Sequence, residues 1–219
     1  MAEVAQGFSG AQARAAAGAA APALNVAPAS GVIGPNAVIQ LAAALDAAHG
    51  RAVTKRLFAA AGAGDLLAEP PGRKVDEARV RRLYEVLEGM LPVGDAMAVA
   101  YDAGRRTADY VRVNRIPKIA RALIRWLPRR LAARVLVKAI VAHAWTFAGS
   151  GWVRAAVGGR TVLIEITDNP LRTREGSWHC GVLEGLFGAL VSPDAKVNWC
   201  AVQCGGRPVC RFEIDIARA

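Results

Sequence analysis

The chain has 219 residues, of which 53% are hydrophobic, and its formal net charge is +10. This length and composition suit one domain with an ample core. The charge exceeds what solubility requires and therefore indicates an anionic partner, for which nucleic acid, membrane headgroups and a carboxylate-bearing ligand are the alternatives.

We expect neither a spanning helix nor a secretory signal in the N-terminal region. Residues 15–45 carry no charge, but three prolines interrupt them, which argues against a membrane-spanning helix. The acid Glu3 precedes Arg14, the first basic residue, so no basic signal region is present. We therefore predict a flexible Ala/Pro-rich tail over residues 1–30, followed by a single domain over residues 31–219 of a cytoplasmic protein.

Helical patterns dominate the chain up to residue 147. Proline and aspartate at first-turn and cap positions, with glycine at the ends, mark the boundaries. The predicted helices cover residues 35–50, 53–61, a segment capped by Asp76, residues 94–114, and an amphipathic pair opened by Pro117 and Pro128.

Basic residues are concentrated between Arg105 and Lys138, where eleven Arg or Lys accompany a single acid, Asp109. Such a run is either a solvated helix face or a functional patch. As a patch it would pair with ligand propionates through Arg121 and Arg125, dock on an acidic protein, or lie on an anionic membrane. The absence of interleaved aromatic residues and of any nucleic-acid motif argues against nucleic acid.

The last third of the chain alternates as antiparallel strands do. Residues 152–157 and 161–167 flank a Gly-Gly turn, and residues 196–203 and 209–216 flank a second turn. Between the hairpins, residues 177–188 have helical spacing, with Ser177 as the expected N-cap. The predicted fold class is α+β, with an N-terminal helical region packed on a four-stranded antiparallel sheet and a C-terminal helix-hairpin.

Five aromatic and histidine side chains are candidates for contact with a ligand. His143, Trp145 and Trp152 belong to an uncharged segment, residues 139–153, that is too short to span a membrane. Trp178 and His179 lie together at the start of the C-terminal helix. Ordinary core packing is the alternative for all of them.

All four cysteines, Cys180, Cys200, Cys204 and Cys210, fall in the C-terminal helix and hairpin. Four thiolates gathered there would suit a structural zinc, whereas buried free thiols are the alternative. The common parity of Cys200, Cys204 and Cys210 predicts that these three side chains face one side together.

The same region carries a family resemblance. Its residues are Asn169-Pro170-Leu171, then Trp178-His179-Cys180-Gly181 with Gly185, then Cys204-Gly205 and Cys210-Arg211-Phe212-Glu213-Ile214. This pattern, over residues 150–217, resembles the 4-vinyl reductase domain family. Relatives in that family sense small aromatic compounds, and some hold zinc through cysteines and an acidic residue. In this chain Ala201 stands where that acid is expected.

The resemblance implies a role in bacteriochlorophyll biosynthesis and a pocket for a chlorophyllide or a magnesium porphyrin. One alternative is an enzyme that reduces the 8-vinyl group of this intermediate with an external electron donor, since the chain has no nucleotide fingerprint and no iron–sulfur cysteine pattern. A second is a carrier that delivers the tetrapyrrole to other pathway enzymes, and a third is a sensor of small aromatic ligands. Contact with a membrane surface and a homodimer are compatible with each.

Overall fold

The computed structural model describes residues 24–26 and 31–217. Its helices are α1 (Asn36–Ala60), α2 (Gly64–Ala68), α3 (Glu77–Met90), α4 (Val93–Asn114), α5 (Lys118–Trp126), α6 (Arg129–Ala142), α7 (Trp145–Ala148) and α8 (Ser177–Leu190). Its strands are β1 (Leu24–Val26), β2 (Val32–Ile33), β3 (Val75–Asp76), β4 (Trp152–Val157), β5 (Thr161–Thr167), β6 (Lys196–Cys204) and β7 (Arg207–Asp215). None of the helices described has both the length and the apolar character needed to cross a membrane.

The main sheet has five antiparallel strands in the order β1-β4-β5-β7-β6. The prediction of a four-stranded sheet is therefore wrong, although both predicted hairpins are present. The additional strand, β1, pairs along the edge of β4, with Asn25 opposite Arg154. It falls within the stretch assigned to a flexible tail, and the remainder of that tail, residues 1–23 and 27–30, lies outside the described residues.

Two hydrophobic clusters form the core. One lies between the inner face of the sheet and helices α6 and α8, and the other joins α1, α3 and α4. Phe147 and Val182 pack against both clusters. The predicted helix break at Gly50 is a kink within α1, where this glycine has a φ of 80°.

Helices α4 and α8 cross at very short range because glycines line the crossing. A Cβ on Gly104 would overlap the carbonyl oxygen of Trp178, and a Cβ on Gly181 would overlap the carbonyl oxygen of Tyr101. A Cβ on Gly185 would overlap the methyl group of Ala108. The absence of side chains here allows the two backbones to touch, and the contact fixes the residues that project from either side of it.

The first turn of α8 is capped by a residue four positions before the helix begins. The hydroxyl oxygen of Thr173 lies 3.2 Å from the backbone nitrogen of Trp178, which donates to it. Gly176 has a φ of 59°, and a Cβ at this position would overlap the ring of Trp199. The predicted N-cap, Ser177, is instead the first residue of the helix.

Candidate functional site

Two cavities on the surface of the α4–α8 crossing share Tyr101 as a common wall, and we call them together the groove; Tyr101 is hydrogen-bonded to Glu184, which lines the second cavity. The Tyr101 hydroxyl donates to Glu184 Oε2, and the backbone nitrogen of Val197 donates to Glu184 Oε1 over 3.0 Å. One carboxylate therefore connects α4, α8 and the edge strand β6.

The first half of the groove is largely apolar. This cavity of about 420 Å³ is walled by Met97, Ala98, Tyr101, Val197 and Trp199, with polar groups from Glu175, Ser177, Cys180 and Asn198. The hydroxyl oxygen of Ser177 is buried and has no hydrogen-bond partner among residues 24–26 and 31–217. An unpaired buried hydroxyl carries a free-energy cost, which a polar group of a ligand would relieve.

The second half of the groove is polar and carries basic side chains. Its cavity of about 590 Å³ is lined by Tyr101 and Glu184 together with Arg105, Arg112, Asp109 and Lys196 among others. Arg112 is paired with Asp109 at 3.1 Å. Arg105 and Lys196 thus bring positive charge to the end of the groove opposite Trp199.

Burial and the nearby carboxylates keep the Tyr101 phenol and the Cys180 thiol protonated. Burial, followed by the hydrogen bond to Glu184, raises the pKa of Tyr101 to about 12. Burial and the charges of Glu184 and Glu175 also raise the pKa of Cys180 to about 12. At neutral pH the groove therefore offers a phenol and a thiol, neither of which is an activated nucleophile.

His179 lies outside this groove, against an enclosed apolar cavity of about 40 Å³ between α6, α8 and β5. Its Nε2 lies 3.1 Å from the carbonyl oxygen of Phe147. Because a carbonyl only accepts, Nε2 carries the proton and Nδ1 is left as a buried acceptor with no partner in the described chain. Burial lowers the pKa of His179 to about 4, so the imidazole is neutral.

The other aromatic and histidine candidates do not converge on one site. Trp178 is only 1% exposed and belongs to the helical cluster. His143 is an exposed residue after α6, with Nδ1 2.9 Å from the carbonyl oxygen of Ala139. The Trp145 ring lies 4.6 Å from Lys74 Nζ, and Trp152 is 45% exposed on β4.

The two arginines expected to meet ligand carboxylates lie on α5 and do not line either half of the groove. Arg121 Nη1 donates to the carbonyl oxygen of Arg112 over 2.9 Å, and Arg125 is exposed. The basic side chains that do line the groove include Arg105 and Lys196.

The structure does not support the predicted zinc site. Among residues 24–26 and 31–217, no group of three or more His, Cys, Asp or Glu side chains could hold a metal ion. Cys210 pairs with Ala201 and Cys200 with Arg211, so Cys210 faces the side of the sheet opposite to Cys200 and Cys204. All three residue numbers are even, which predicted that the side chains share one side of the sheet. In this hairpin an even-numbered residue of β6 pairs with an odd-numbered residue of β7, so even-numbered residues of the two strands face opposite sides. Cys180 alone of the four lines the groove.

Sequence reasoning missed the central residues of the groove, namely Tyr101, Glu184, Trp199 and Arg105. One signal was available, because Glu184 is the only charged residue in the otherwise apolar α8. A lone acid in such a helix indicates a buried partner or a functional site. The position of Tyr101 opposite it depends on the α4–α8 crossing, which sequence periodicity alone does not give.

Two curated proteins resemble most of this chain. The bacteriochlorophyll synthase 23 kDa chain of Cereibacter sphaeroides is 43% identical over 188 residues, which cover 83% of this chain and 89% of that protein. The protein of the same name from Rhodobacter capsulatus is 39% identical over 182 residues, or 80% of this chain and 83% of that protein. The chain belongs to this family. A 23 kDa chain of bacteriochlorophyll synthase is a protein of the bacteriochlorophyll pathway, as the resemblance implied. No protein-family model matches the sequence.

Solved structures with the same fold are H-NOX domains. One, from a study of heme distortion in the H-NOX family, has a TM-score of 0.57 at 12% identity and covers 85% of this chain and 96% of its own. A T. tengcongensis H-NOX mutant has a TM-score of 0.55 at 12% identity and covers 84% of this chain and 97% of its own. At this identity the likeness concerns the fold, and it replaces the four-stranded architecture predicted above.

Proposed function

We propose that this member of the 23 kDa chain family binds a chlorophyllide or magnesium-porphyrin intermediate of bacteriochlorophyll biosynthesis in the groove at Tyr101 and Glu184. In this proposal it acts as a carrier that supports reduction of the vinyl group by another enzyme. The family supports the pathway, and the link of the H-NOX fold to heme, another tetrapyrrole, supports the class of ligand.

The observation that carries the proposal is the division of the groove into an apolar half and a basic half. These intermediates are flat, largely apolar rings with one or two free carboxylates at one side. Its ring would lie against Trp199 and Met97, and its carboxylates would meet Arg105 and Lys196. The groove also has the volume that such a ligand needs, roughly 300–1,000 Å³, whereas the cavity beside His179 does not.

The carrier role rests on the side chains that line the groove, which offer hydrogen-bonding and charged groups but no source of the electrons that vinyl reduction requires. With the pKa values of both Cys180 and Tyr101 near 12, the groove contains no thiolate or phenolate. Glu184 accepts two hydrogen bonds that hold it in place. The chain's own residues can therefore bind and orient a ligand, while electrons for vinyl reduction would come from an external donor.

The test is an absorbance titration of the purified protein with magnesium protoporphyrin and with divinyl chlorophyllide, with and without NADPH. We expect a shifted Soret band and no conversion. Arg105→Ala with Lys196→Ala should weaken binding at least about tenfold, because two charged contacts are lost. Lys55→Ala with Arg56→Ala removes the same charge from the exposed side of α1 and is the matched control.

A ligand without carboxylates makes the test specific for charge. The dimethyl ester of the porphyrin should bind the wild type more weakly, and the Arg105/Lys196 substitutions should then make little further difference. If those substitutions weakened binding of the free acid and of the dimethyl ester equally, recognition of the carboxylates would be contradicted. Conversion of the ligand in the presence of NADPH would show that the protein is the reductase itself. If His179→Gln alone abolished the Soret shift, the ligand would have to bind beside His179 and not in the groove.

A further inference from the structure

Helix α5 exposes its apolar side chains to solvent. Ile119 is 76% exposed, Leu123 is 63% exposed and Trp126 is 90% exposed. Their spacing of four and three residues places them in one stripe along the helix. Only Ile124 of this helix is buried, so the stripe is not the face by which α5 packs on the protein.

The apolar exposure continues beyond α5. Leu127 follows the helix, and Leu131 and Val135 on α6 are 44% and 45% exposed. Large exposed apolar patches mark sites of contact with a protein or a membrane, whereas isolated exposed residues do not. We call this set, together with Lys118, Arg121, Arg125, Arg134 and Lys138, the α5–α6 surface.

The charge around the stripe has a single sign. No Asp or Glu occurs from Tyr110 to Ile164, whereas nine Lys or Arg lie between Arg112 and Lys138. On α5 the helical positions of Lys118, Arg121 and Arg125 place them on the side away from the apolar stripe. A second copy of this chain would bring like charges together on such a surface, so a homodimer through it is disfavoured.

We infer that the α5–α6 surface docks on an anionic lipid membrane. Helices that lie in a membrane interface carry Trp, Leu or Ile on one side and Lys or Arg on the other. At nine residues α5 is ~13 Å long, which is too short to cross a bilayer. Pro117 and Pro128 bound it at both ends, so it lies as a separate short segment.

In this arrangement Trp126, Leu123 and Ile119 enter the boundary between headgroups and acyl chains, while the basic side chains meet lipid phosphates. The carboxylates of an acidic protein could satisfy the basic side chains, but they would leave the apolar stripe in water unless that partner also offered an apolar groove. The inference is independent of the tetrapyrrole proposal because it uses no residue of the groove.

The experiment is co-sedimentation of the ligand-free full chain with vesicles of phosphatidylcholine, with and without phosphatidylglycerol. We expect binding only to the vesicles that contain phosphatidylglycerol, together with a blue shift of tryptophan emission. Trp126→Ser should reduce the partition coefficient about tenfold or more and should remove most of the blue shift. Because this side chain is almost fully exposed, the substitution should not disturb folding.

Two controls separate the apolar stripe from general charge attraction. Val93→Ser changes an exposed apolar residue on α4, 51% exposed, and should bind as the wild type does. Lys118→Glu with Arg125→Glu should abolish binding to anionic vesicles, whereas Lys55→Glu with Arg56→Glu should weaken it only slightly. Failure to bind anionic vesicles, or equal binding to neutral vesicles, would overturn the inference. Binding by Trp126→Ser at the wild-type level would also overturn it and would point to an acidic protein as the partner.

Discussion

Burial decides the protonation state of His179, and this has a consequence for stability. In the unfolded chain the imidazole takes up a proton as the pH falls below its ordinary pKa of 6.5, whereas in the folded protein it stays neutral down to about 4. Between these values the unfolded state binds more protons, so folding stability falls as the pH falls. The loss amounts to about 3 kcal/mol across the window.

His179→Gln should remove this part of the pH dependence, because an amide can still donate to the Phe147 carbonyl oxygen but does not titrate. The measurement is the free energy of urea unfolding at several pH values between 4 and 7. His143→Gln, at an exposed position, should retain the wild-type dependence. The same slope in His179→Gln as in the wild type would assign the effect to other groups.

At the scale of elements, the α4–α8 crossing depends on residues that have no side chain. Gly104→Ala and Gly181→Ala each place a methyl group against a backbone carbonyl, which cannot move without separating the helices. We expect each substitution to lower the free energy of unfolding by about 2 kcal/mol or more. Circular dichroism during urea denaturation would measure the loss.

Gly188 is the matched control on the same helix. A Cβ there meets nothing within 4 Å, so Gly188→Ala should raise stability by about 0.5–1 kcal/mol through helix propensity. If Gly104→Ala were as stable as Gly188→Ala, the close crossing would be excluded.

Local signals predicted elements well but did not predict their pairing. The Asp76 carboxylate caps α3 as expected, accepting from the backbone nitrogen of Ala78 at 2.8 Å, because capping depends on neighbouring residues alone. Strand β1 was missed because Leu24-Asn25-Val26 is too short to show a period, and its pairing with β4 bridges more than a hundred residues of chain. The glycines of α8 do not by themselves identify what lies against them; in the structure Gly181 and Gly185 lie against α4, whereas a Cβ on Gly188 would meet nothing within 4 Å.

The candidate site was less predictable than the fold for the same physical reason. Tyr101 and Glu184 are 83 positions apart, and their contact exists only after α4 and α8 have crossed. The candidates chosen from the sequence were residues of notable chemistry, such as Trp178 and the cysteines. Proximity in sequence does not bring such residues to one cavity, since neighbours on a strand or helix point in different directions.

At the scale of the whole molecule, Phe147 and Val182 join the two hydrophobic clusters. We therefore expect the sheet and the helical layer to unfold together, as the prediction of a single domain over residues 31–219 requires. Urea transitions followed by tryptophan fluorescence and by circular dichroism should coincide. Phe147→Ala removes a side chain that packs against both clusters, so it should lower the free energy of unfolding or separate the two transitions. Two separate transitions in the wild type would instead show that the chain forms two domains.

The carboxylate of Glu184 has both oxygens occupied, one by the Tyr101 hydroxyl and one by the Val197 amide. Each oxygen can accept a second hydrogen bond, and a ligand donor that competed for either one would weaken the attachment of α4 or of the edge strand β6. Ligand affinity and the docking of this strand would then be thermodynamically linked, each changing the other by the same factor. The exchange rate of a single backbone hydrogen, that of Val197, would then report the occupancy of the groove.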